Sequence, residues 1–154
     1  MYRELIERLS RENGYEYVKI QPPCSEADIK MAEEVVGYRF PRELYTLLCE
    51  MNGDKWCFMS VESIMENVKS NREIWLPLFM EDYSEEEYID KVDRFIFFAG
   101  NGCGDYYCYR VGENGIADES AIYIWEHEYL GEKCWRRVAG GMEEFITRYY
   151  GGEI

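Results

Sequence analysis

Carboxylates are the reactive groups this sequence supplies most freely, and they crowd into Glu81-Asp82-Tyr83-Ser84-Glu85-Glu86-Glu87-Tyr88-Ile89-Asp90. Six acids within these ten residues repel one another unless water or a cation meets them, which places the run on the surface. Carboxylates are the right hard ligands for calcium, but a calcium loop is bent by glycine and closed by a glutamate at fixed spacing, and that pattern is missing. A solvated face and a docking surface for a basic protein remain. The second is the functional reading, with Glu81, Asp82, Glu85, Glu86, Glu87 and Asp90 as contact candidates. Asp54, Asp105, Glu113, Asp118 and Glu119 sit beside turn signals and are expected to face solvent and share that role.

Other residues that could do chemistry lack the company their chemistry needs. Gly100-Asn101-Gly102-Cys103-Gly104 would let main-chain amides approach an anion closely. It has no GxxxxGK[ST] lysine and hydroxyl, does not fit GxGxxG, and leads into a strand pattern where a phosphate would need a helix N-terminus. Structural turn glycines are the simpler reading. Glu126-His127-Glu128 sets an imidazole between acids, yet the second histidine of HExxH is replaced by Gly131. A hydrogen-bonded structural or surface histidine is expected. A cysteine nucleophile needs a base, and nothing pairs His127 with one of Cys24, Cys49, Cys57, Cys103, Cys108 or Cys134. Cys103, in the turn, has the negative charge of Asp105 working against a thiolate. The expectation is a chain without catalytic residues, metal or cofactor.

Composition narrows the class further. The 154 residues are enough for one domain, 1–154, that buries roughly two-thirds of its unfolded surface, and 47% apolar with 16% aromatic content suits a packed core. Seventeen basic against thirty-one acidic residues leave a formal charge of −14. Such a surface repels nucleic acid and anionic lipid and attracts cationic partners. Solubility alone is the other use of that charge. No apolar run approaches the roughly 18–20 residues of a membrane span, and the start, MYRELIERLSRENG, is charged throughout. Six cysteines without a CxxC pair are expected to be reduced thiols, several of them small core residues, in a cytoplasmic protein.

The elements that must position these groups follow from spacing. Tyr2, Leu5, Ile6 and Leu9 mark a helix over Tyr2–Glu12, stopped by Asn13-Gly14. Tyr15–Gln21 reads as a short strand or extended arm, broken by Pro22-Pro23. Ser25 and Asp28 form a capping pair for a helix over Ser25–Val36, ended by Gly37. Pro41 suits a first helical position before Leu44, Leu47, Leu48 and Met51. Lys55–Met59 is a strand candidate, Val61–Ser70 a helix capped by Ser60, and Trp75–Met80 an irregular segment or short strand. Phe95–Ala99 and Tyr106–Val111 form a hairpin expected at the middle of a sheet. A strand over Ala121–Trp125, a last strand or extended stretch over Glu132–Val138, and a helix with Met142, Phe145, Ile146 and Tyr149 complete the order. Helices, then strands, then a helix, without a βα repeat, imply an α+β fold with an antiparallel sheet and helices packed on it.

Taken together, SEADIKMAEEVVGYRFPRELYTLLCEMNGD, FIFFAGNGCGDYYCYRV, AIYIWEHE and VAGGMEEFITRYY resemble the SUKH superfamily. The resemblance spans most of Ser25–Tyr150. It rests on the helix ending in Gly37, the Phe40-Pro41…Leu44-Tyr45…Leu48 helix into Asn52-Gly53, the Phe98…Gly100…Gly104-Asp105 hairpin, Trp125 with His127, and Phe145. That superfamily contains fungal regulators of cell-wall glucan assembly and many small bacterial immunity proteins. It implies a domain that acts by binding and supplies no catalytic residues. For this chain, which lacks long additional arms, it implies an immunity protein whose partner is a cognate protein toxin, a basic nuclease domain being the expected kind. A cell-wall-type regulatory scaffold is the alternative it implies. Trp75–Arg94 is the part least like the family and the place where partner specificity is expected.

Overall fold

Local signals set the helices. In the computed structural model, which describes residues 1–75, 77–78, 93–129 and 134–154, α1 covers Tyr2–Glu12, α2 Glu26–Val36, α3 Arg42–Glu50, α4 Val61–Ser70 and α5 Met142–Tyr150. The Ser25 hydroxyl accepts the Asp28 N–H at 3.1 Å, and Gly37 closes α2 in the left-handed region at φ 89°. The Ser60 hydroxyl likewise accepts the Ser63 N–H at 3.2 Å at the head of α4. Pro41 stands one position earlier than its spacing suggested, at the N-cap of α3 with ψ 147°, because helical φ/ψ begins only at Arg42. A π-helical turn, Asn71–Trp75, continues α4.

Four strands form an antiparallel sheet in the order β1-β2-β3-β4: β1 Phe95–Gly100, β2 Tyr106–Arg110, β3 Ile122–Trp125 and β4 Trp135–Ala139. The hairpin is therefore not at the middle. Each strand pairs with the next in sequence, and that meander leaves β1 at one edge among the described residues. Lys55–Met59 does not form a strand either. It is a loop whose Phe58 makes a lone bridge to Ala99, with the Met59 N–H donating to the Phe98 carbonyl at 2.9 Å. Tyr15–Gln21 is an extended arm laid on that loop, its Lys19 and Gln21 N–H groups donating to the Asp54 and Gly53 carbonyls.

Period-two alternation gives the sheet two apolar faces. Ile96, Phe98, Tyr107, Tyr109, Ile122 and Ile124 face the helices in the main core, where Phe145 of α5 meets Phe58, Phe98 and Tyr107 with ring centroids 5.8, 5.6 and 4.8 Å away. Phe95, Phe97 and Cys108 face the other way, packed among Tyr106, Tyr123, Trp125 and Trp135. α1 packs on α5 and α2 on α4. Cys57, Cys108 and Cys134 are buried, as expected of small core residues. The described helices include none long and apolar enough to cross a membrane.

Candidate functional site

Glu81, Asp82, Glu85, Glu86, Glu87 and Asp90 lie outside the described residues. The structure separates the remaining candidates. One of them is not on the surface: Asp54 is fully buried, and its expected exposure is corrected here. Its Oδ1 accepts the N–H groups of Trp56, Cys57 and Phe58 at 2.9, 2.8 and 2.9 Å, and its Oδ2 accepts the Tyr150 hydroxyl. The loop is shaped for this. Lys55 takes φ 58°, and Gly53 has φ 80° with the Phe58 carbonyl oxygen only 2.8 Å from where a Cβ would stand. Burial, then the Asp54 charge, pushes the Tyr150 phenol far up, so it remains a donor.

Asp105 stands at the tip of the β1–β2 hairpin and is mostly withdrawn from solvent, with 19% of its side chain exposed. Its Oδ1 accepts the His127 N–H at 3.1 Å and lies 2.8 Å from His127 Nδ1, while Oδ2 accepts from the Asn101 amide at 3.1 Å. Burial raises its pKa, but the bonds from His127 and Asn101 outweigh that and hold the carboxyl below its ordinary range. Asn101 Oδ1 in turn accepts the Cys103 and Asp105 N–H groups at 2.9 and 3.3 Å. Of the two expected readings, structural or surface, His127 takes the second: it is hydrogen-bonded and exposed. The described residues contain no group of three or more His, Cys, Asp or Glu side chains that could hold a metal ion.

Glu113, Asp118 and Glu119 are exposed, at the opposite end of β2 in the turn before β3. Asp118 is shaped locally: the Ser120 hydroxyl and N–H donate to it at 2.6 and 2.9 Å and hold its pKa down. Glu119 accepts the Arg42 N–H at 3.2 Å, at the head of α3. The fold brings further acids here that sequence reasoning did not single out. Glu43 accepts the Met142 N–H at 2.8 Å and so caps α5, and Glu143 and Glu144 occupy the first turn of that helix. Burial first, then Glu43, Glu50 and Glu143, raise the pKa of the Tyr2 phenol, and Glu119 adds to the rise at Tyr109. The early acids of a helix could be read from the sequence. Their meeting with α3 and the β2–β3 turn is tertiary.

Arg110, at the end of β2, lies over the rings of Trp135 and Tyr123, 4.4 and 5.7 Å from their centroids. Two grooves flank the hairpin tip. One of about 750 Å³ runs along the Gly53–Ser60 loop past Pro22, Gly100 and Tyr106, and the other, of about 490 Å³, lies between α4 and the ends of β2 and β3.

The model of the SMI1 / KNR4 family (SUKH-1) matches residues 23–148. That span covers α2 through most of α5, including β1 to β4 and the hairpin tip. No curated protein matches the chain. The chain belongs to the SMI1 / KNR4 family, SUKH-1.

Proposed function

We propose that this SUKH-1 chain is an immunity protein: it binds a cognate protein toxin, with a basic nuclease domain as the expected target, and blocks it by occupying its cationic face. The observation that carries this reading is the formal charge of −14 on a family member with exposed acids at the end of β2. A nuclease must hold a polyanion, so its working face is positive. An acidic protein of matching shape competes there and associates quickly through electrostatic steering. Binding, not turnover, is the role. Glu113, Asp118 and Glu119 are the proposed contacts at the exposed turn. Asp105 serves by its charge at the hairpin tip, and the Glu81–Asp90 run is proposed to extend the same surface. The protein works in the cytoplasm as one domain.

The test is capture of the protein encoded by an adjacent gene, with affinity measured across ionic strength. Binding that weakens steeply with salt, together with rescue of cells expressing that protein, is the expected result. No binding at low ionic strength overturns the reading. The family's regulatory members favour a second reading, a scaffold for cell-wall synthesis, which predicts recovery of housekeeping proteins and no neighbouring toxin.

A further inference from the structure

The groove between α4 and the hairpin tip has walls of different chemistry. On one side α4 presents Ser63, Glu66 and Asn67, three and four residues apart on one helical face. On the other stand Tyr106 and Trp125, centroids 6.4 Å apart and inclined at 32°, with His127 beside them. Among the described residues the lining includes the carboxylate of Glu66 and no lysine or arginine. Trp125 Nε1 is buried with no acceptor among the described residues.

We propose that this groove seats an arginine side chain from an exposed loop of a basic protein partner, an inference that rests on the cationic-partner reading above. The guanidinium lies against the Tyr106 and Trp125 rings, and its N–H groups donate to Glu66 and the Ser63 hydroxyl. The carboxylates of Glu66 and nearby Asp105 repel an anion. An apolar side chain would leave the polar α4 wall desolvated and unpaired. Lysine meets the charge but not the flat ring faces, whereas a planar guanidinium does both. The molecule already uses that pairing in Arg110 over Trp135. The site is preorganised, because the Asp105–His127–Asn101 bonds fix the tip that forms its far wall.

The probe is the blocked tripeptide acetyl-Gly-Arg-Gly-amide, titrated into the full chain at low ionic strength and followed by amide chemical shifts and tryptophan fluorescence. Saturable shifts confined to Ser63, Glu66, Gly104, Tyr106 and His127 are expected. Glu66→Gln should weaken binding at least threefold, as should lysine in the peptide, and the neutral isostere citrulline should abolish it. Because the citrulline arm uses the unaltered protein, it does not depend on a variant folding. Shifts centred on the Glu113–Glu119 turn, or binding indifferent to citrulline, overturn the inference. Failure to capture a toxin while the arginine peptide still fills the groove counts against the immunity reading alone, so the two failures are told apart.

Discussion

The two ends of strand β2 both carry acids and use them in opposite ways. Near the hairpin tip, Asp54 and Asp105 are turned inward onto main-chain N–H groups, an amide, a phenol and an imidazole, and they hold loops in place. At the far end Glu113, Asp118 and Glu119 stay in water, with Asp118 and Glu119 each satisfied by neighbours that leave it exposed. An aspartate beside a turn is therefore not by itself a surface charge. What decides is whether the following backbone curls its N–H groups toward the side chain, as residues 56–58 do around Asp54.

The sharpest way to break this contrast is Asp54→Ala. It strands the buried N–H groups of Cys57 and Phe58, the half-buried one of Trp56 and the Tyr150 hydroxyl, and is expected to cost about 4 kcal/mol, roughly 10 °C of Tm, in calorimetry. The same variant should expose Cys57, whose thiol is pushed well up by burial and then by Asp54. In the parent chain a thiol reagent labels exposed Cys103 and spares Cys57; mass mapping of the variant should find both labelled.

Gly104→Ala comes next. Gly104 has φ +97°, and an added Cβ would lie 3.0 Å from the His127 ring, so about 1–2 kcal/mol should be lost in denaturant unfolding. Asp105→Asn should cost about 1 kcal/mol at neutral pH. Its signature is the pH dependence. Because the folded carboxyl titrates below its ordinary value, its contribution is present above that value and lost as pH falls through the folded one. The parent should lose stability in acid relative to Asp105→Asn; parallel pH profiles would show that the tip bonds contribute nothing.

At the far end the expected stability effect is the smallest. Asp118→Lys with Glu119→Lys should change unfolding by no more than about 1 kcal/mol, yet slow association with a cationic partner roughly tenfold at low salt, read by stopped-flow. An unchanged rate would place the contacts elsewhere.

Much of the fold was legible because its signals are local. The Ser25/Asp28 pair, the Gly37 stop and the three-and-four spacing of Val61, Ile64, Met65 and Val68 placed α2 and α4 within a residue. The β-prone aromatic runs Phe95–Ala99 and Tyr106–Val111 around a glycine-rich turn placed the hairpin. What stayed hidden depends on distant partners. The position of β1 at the sheet edge follows from strand order. The burial of Asp54 requires Tyr150, 96 positions later. The gathering of Glu43 with α5 joins residues 99 apart. The candidate contacts were legible as charge and turn propensity, but nothing local distinguished the acid that is enclosed from the acids that are free.

The bond between Asp54 and Tyr150 also has a consequence for the order of events on the ribosome. Translation delivers the Gly53–Phe58 loop long before the phenol that completes its latch, and Phe145, which meets rings from that loop, β1 and β2, comes equally late. A nascent chain halted ahead of α5 therefore presents unsealed aromatic faces to the tunnel exit and to any waiting chaperone.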